Sequence, residues 1–135
     1  MIDLTAPIVP GVSAAGITLR TPIDPLLVEH GLVQTERRGG RAIYELPSIK
    51  IWVVDRLVTQ IGVSTGYLGK VNHKISIGST IREVEELFHL SVVEDEEDNL
   101  CVQAMPGWSF ETTEWISDHS VKSNLDACIV EIFVY

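Results

Sequence analysis

The chain has 135 residues, 45% of them hydrophobic, and a net charge of −9, which bounds it to one domain or two small halves sharing a core. No stretch approaches the roughly 20 continuous apolar residues of a helical membrane span. Residues 1–70 hold seven Lys/Arg and six Asp/Glu, or +1, while residues 71–135 hold three and thirteen, or −10; nucleic acid is excluded as a partner for so acidic a half, because phosphate binding needs a basic footprint.

Residues 1–15 read as an extended arm. Met1 to Pro7 shows neither the basic start nor the long apolar run of a signal peptide, so the cytoplasm is the expected compartment. Residues 6–15, with two prolines, a glycine and small side chains, are expected to lie across the surface.

Residues 16–64 form the first of two similar units. Ile17-Thr18-Leu19 predicts a short strand. Thr21-Pro22 reads as a helix start, with a hydroxyl cap followed by a proline whose missing N–H is harmless there. Ile23, Leu26 and Leu27 have helical spacing, Pro25 shortens the helix, and Gly31 is its expected C-cap. Glu36 to Arg41 reads as a basic turn. Ala42-Ile43-Tyr44, Ile49-Lys50-Ile51 and Leu57 to Val63 follow as strands. Trp52 falls on the face of Lys50, opposite Ile49 and Ile51.

Residues 65–73 predict a linker, anchored by Tyr67 and Leu68. Residues 74–135 then repeat the order. Lys74 to Ile77 matches the first strand, and Ser79 or Thr80 caps a helix striped by Ile81, Val84, Leu87 and Phe88. Leu100-Cys101-Val102, Trp108-Ser109-Phe110 and Cys128 to Val134 match the three later strands. The second unit differs by a long link, Glu114 to Asp126. Five elements in one order predict an α+β fold: two tandem β-α-β-β-β repeats forming antiparallel sheets, with one helix per repeat. Uncovered sheet edges would permit a homodimer.

Chemistry-bearing patterns are sparse. Cys101 and Cys128 fall on strands two places apart, roughly 10 Å, too far for a disulfide; both read as reduced core residues. His30 and His89 come late in the two helices, where a cation suits the dipole. Adjacent Asp118-His119-Ser120 does not make a triad, whose members come from distant positions. Gly62, Gly66 and Gly69 do not lead into a helix, so the phosphate-loop context fails. No catalytic, cofactor or metal-binding residue is expected. Trp108 and Phe110 share a strand face and are expected to pack on the helix of Val84 and Phe88.

The acidic run Glu94-Asp95-Glu96-Glu97-Asp98 stands out, with Trp115 and Asp118 in the long link as a second candidate contact. A basic protein partner suits such a surface through electrostatic steering. The calcium-loop pattern is missing from the run, which lacks alternating ligands and a central glycine.

A strand, then Gly78-Ser79-Thr80, then the helix Ile81 to Phe88 and a meander resembles the small repeat of β-lactamase-inhibitor-protein-like domains. The pattern also resembles cytoplasmic immunity proteins of bacterial contact-dependent and type VI toxin systems; Ile17 to Gly31 carries the likeness more weakly. The resemblance implies a non-enzymatic inhibitor that neutralises a cognate toxin. Glu94, Asp95, Glu96, Glu97 and Asp98 would then enter its basic site, supported by Trp115 and Asp118. The rival readings are a scaffold domain of the same architecture and a small-molecule-binding domain using a cleft between the repeats.

Overall fold

The computed structural model describes residues 2–113 and 124–135. Ten strands and two helices occur among them: β1 (Ser13–Ala14), β2 (Ile17–Thr18), α1 (Asp24–His30), β3 (Gln34–Arg38), β4 (Arg41–Leu46), β5 (Ile49–Val54), β6 (Leu57–Ser64), α2 (Ile81–Phe88), β7 (Val92–Glu94), β8 (Leu100–Val102), β9 (Trp108–Thr112) and β10 (Ile129–Val134).

Eight strands form one antiparallel sheet in the order β3-β4-β5-β6-β10-β9-β8-β7. Two four-strand meanders thus meet at β6 and β10, which pair from Ile61↔Val134 to Ser64↔Glu131. β1 and β2 make a separate two-stranded sheet.

This overturns the expected α+β class: the chain is mostly β, and β-α-β-β-β repeats with one helix each do not describe it. The strand expected before each helix never joins the main sheet. Ile17–Thr18 pairs only with Ser13–Ala14, and the expected strand at 74–77 is reduced to the single bridge Val71↔Ile75. Each meander instead gains a strand. Residues 34–38, of which Glu36 to Arg38 read as part of a basic turn, are the edge strand β3, and Val92–Glu94 is the opposite edge β7. An edge strand facing water on both sides carries no apolar alternation to mark it.

The helices are short for local reasons. α1 spans seven residues with Pro25 in its first turn and ends at Gly31 in the left-handed conformation. Thr21 does not cap it. That hydroxyl donates to the Thr18 carbonyl, Ile23 holds the cap position, and the Ile23 N–H bonds the Arg56 carbonyl. α2 starts on a capping box: the Glu83 N–H donates to Thr80 Oγ1, and the Thr80 N–H to the Glu83 carboxylate.

One face of the sheet is covered. Ile49, Ile51, Val53, Ile61, Val63, Phe110, Ile132 and Val134 form a single core with Leu26, Ile81 and Val84 of the helices and with Ile8, Ala14, Ala15 and Ile17. Trp108 lies wholly within it, edge-on to Phe88 at 6.0 Å and tilted on Phe110 at 5.5 Å. Tyr67 fastens the chain before α2 to the first residues. Its hydroxyl donates to the Ala6 carbonyl at 2.6 Å and accepts the Ala15 N–H at 2.8 Å; Leu68 beside it is exposed. No helix among the described residues is long and apolar enough to cross a membrane.

The sheet edges carry features that discourage pairing with another chain. β3 bears Arg37 and Arg38 and a register shift against β4, while β7 is three residues long and runs into the acidic turn.

Candidate partner-binding site

The acidic run becomes the tip of the β7–β8 hairpin. Glu94 ends β7 and is partly buried, as is Asp95, whereas Glu96, Glu97 and Asp98 are exposed. The turn is held from within. Asp95 Oδ1 accepts the N–H groups of Glu97 at 2.8 Å and Asn99 at 3.0 Å, and the Asp95 N–H donates to the Asn99 carbonyl. Asp98 takes a left-handed backbone to close it. Asp95 therefore commits one carboxylate oxygen to the backbone, an arrangement its short side chain makes natural. Three carboxylates are left projecting into water.

The turn borders a cleft of about 350 Å³ lined by Gln60, Asp95, Glu96, Glu97, Asn99, Ser109 and Tyr135. Its floor belongs to the uncovered face of the sheet. Burial holds the Tyr135 phenol above its ordinary range; Asp95 and Glu97 add to the shift, and a hydrogen bond with Ser109 opposes it. Burial also raises the thiol of Cys101, with Asp95 reinforcing it. Both groups are neutral near pH 7, so the charge in the cleft comes from the carboxylates.

Two acids that the sequence reading passed over stand on the same face. Glu131 of β10 sits directly opposite Glu111 of β9. Burial and the neighbouring Glu111 push the Glu131 carboxyl up; Lys50 works against the shift and Glu45 for it. Alternation with Phe110 and Ile132 hinted that both point away from the core, but their opposition depends on a strand register that no motif announces.

Trp52 proves to be half-buried on that face, edge-on to Phe133 at 5.9 Å. Arg41 and Lys50 lie over its ring at 5.9 and 5.4 Å. Gly62 is required beneath it: a Cβ there would come within 3.1 Å of the Trp52 ring and 3.3 Å of Phe133. Of the residues expected to touch a partner, Glu94 to Asp98 thus form one unit, while Trp115 and Asp118 lie outside the described residues, as do His119 and Ser120.

The cysteines need correction. Both are free but only partly buried, so neither is a core residue; Cys101 looks out from β8, and Cys128 bridges Thr80 ahead of β10. His30 ends α1 and His89 caps α2 in a left-handed conformation. No group of three or more His, Cys, Asp or Glu is placed to hold a metal among the described residues.

A second concavity, a mainly apolar groove of about 420 Å³, runs between Pro7–Pro10, Lys70–His73, Phe88 and Met105. Phe88 connects it to Trp108, whose indole N–H is buried without a hydrogen-bond partner among the described residues.

No protein-family model, no curated protein and no solved structure matches this chain.

Proposed function

We propose that this chain is an inhibitor of the immunity type, binding a basic toxin protein and blocking its active site with the β7–β8 turn. The observation that carries the reading is the self-braced acidic turn, in which Asp95 fixes the backbone and Glu96, Glu97 and Asp98 stand exposed beside a cleft. A preformed turn loses little conformational entropy on binding. Its row of carboxylates matches in charge the phosphates that a nucleic-acid-cutting enzyme must hold. The resemblance carried by Ile75 to Phe88, of which the capped helix stands and the preceding strand does not, is in keeping with the same reading.

The test is affinity isolation of the tagged chain from its host, followed by titration of the captured protein at several salt concentrations. Replacing Glu94, Asp95, Glu96, Glu97 and Asp98 together with Ser should weaken binding at least tenfold and flatten its salt dependence. Unchanged affinity would remove the turn from the interface.

The groove lined by Phe88 and Met105 favours a second reading, a small-molecule-binding domain, since its volume falls within the usual range for ligand pockets. A metabolite panel read by thermal shift separates the two. A stabilising hit abolished by Met105→Trp would favour the small ligand.

A further inference from the structure

The solvent face of the sheet is laid out in rows. Glu45, Lys50, Gly62, Phe133 and Ser109 align across β4, β5, β6, β10 and β9; Ile43, Trp52 and Gln60 form a second row, and Ser64, Glu131 and Glu111 a third. Its centre is aromatic, and its charge is lopsided. Two cations of the first meander on this face are already engaged: Lys50 with Glu45 at 3.6 Å, and Arg41 with the side-chain Oε1 of Gln60 at 3.1 Å, both also over Trp52. The second meander supplies none among its described residues, and Glu131 has Lys50 of the first meander as a neighbouring cation. The described residues from 90 onward contain no Lys, Arg or His, yet Glu111 and Glu131 are placed directly opposite each other.

Like charges facing across a strand pair destabilise the sheet that carries them. They are tolerable in isolation and favourable once a cation is set between them. Trp52 alongside, half-buried and edge-on to the buried Phe133, offers apolar contact area that a turn alone lacks.

We infer that the solvent face of β5, β6, β10 and β9 is a docking surface for a basic protein, with the half-buried Trp52, backed by Phe133, as its apolar centre and Glu111 and Glu131 receiving Lys or Arg side chains of that partner. The inference rests on the inhibitor reading and extends the interface from the hairpin turn onto the sheet. Charge selects the occupant. A second copy of a chain carrying −9 would bring further acid to an acidic surface, and a nucleic acid would be repelled.

The experiment uses the full chain, ¹⁵N-labelled, with Ser at positions 94–98 so that the face is probed without the turn. Decalysine is the probe, titrated at low and at high salt. Saturable shifts are expected at the Trp52 indole N–H and at the amides of Gly62, Glu111 and Phe133, weakened at least fivefold in Glu111→Gln/Glu131→Gln and by high salt. The Glu131 carboxyl, which faces Glu111, Glu45 and Lys50, should titrate at lower pH once the peptide is bound. The double Gln variant removes no packing, and its unbound spectrum verifies the fold.

Shifts that are absent from the face, or unaltered by the Gln substitutions, overturn the docking surface. A parallel titration of the unmodified chain separates the two readings. Shifts confined to Glu96, Glu97 and Asp98 leave the acidic turn standing and remove the face; shifts at neither place count against both.

Discussion

The two meanders share one sheet and one core but treat charge in opposite ways. In β3–β6, acid and base are matched: Glu36 pairs with Arg38, Glu45 with Lys50, and Asp24 of α1 with Arg56 of the β5–β6 turn. The strands β7–β10 carry no Lys, Arg or His, and Glu111 and Glu131 face each other. Surface ion pairs contribute little to stability, so the matching in the first meander does not by itself make that half stronger. The difference bears on what each half presents to a partner. On the first surface acid is set against base; on the second, among the described residues, acid is set against acid.

The comparison assumes that the halves fold as one body, and the largest expected effects test that assumption. Trp108→Ala should cost about 3–5 kcal/mol, as expected for an aromatic side chain removed from a filled core. Denaturant unfolding of Trp108→Ala/Trp115→Phe, whose remaining indole is Trp52, followed through fluorescence and through circular dichroism should still give one coincident transition. If the tryptophan signal of the first meander survived the loss of the second, the sheet would be two units in contact.

Gly62→Val strikes the seam directly. The new side chain would collide with Trp52 and Phe133, and a loss of about 1–3 kcal/mol is expected from overpacking. The Trp52 indole N–H resonance should shift toward that of an exposed indole. An unshifted spectrum with unchanged stability would mean that the ring does not rest on the seam. Thr80→Ala removes the capping box of α2 and should cost about 1 kcal/mol, measurable as a lower denaturation midpoint with an unchanged slope.

The sequence exposes the central strands and conceals the edges. Ile49-Lys50-Ile51 alternates because one face of β5 is core and the other is only half-buried, and Trp108-Ser109-Phe110 alternates in polarity although Ser109 is buried too. Residues 34–38 show nothing of the kind, since all five positions of β3 stay at least partly exposed. The α1 boundary was misplaced because Thr21-Pro22 offers the right capping chemistry two residues too early. Backbone bonds from Arg20 and Ile23 to the β5–β6 hairpin hold that segment extended instead. At the site, the acidic turn was legible as composition. Glu111 and Glu131 were not, because they are 20 residues apart and meet only through register.

The smallest effect is the most specific to the second meander. Glu131 has a carboxyl pushed up, first by burial and then by Glu111, so its folded form holds a proton over a pH range where the unfolded chain has released it. By linkage, stability falls as pH rises through the folded value, and the penalty is absent below the unfolded one. Glu131→Gln should therefore stabilise the chain near neutral pH, by about 0.2–1 kcal/mol for relief of an opposed like-charge pair. That advantage should vanish on acidification. Asp24 provides the opposite sign, since its hydrogen bonds to Arg56 hold its carboxyl below the ordinary value. Asp24→Asn should weaken the chain at neutral pH and become neutral at low pH, once the wild-type carboxyl is also protonated. Thermal unfolding of both variants across pH 3–8 should give difference curves of opposite sign that both converge on zero in acid. A Glu131→Gln curve that stayed flat would place the stored repulsion elsewhere and leave the second meander no different in this respect from the first.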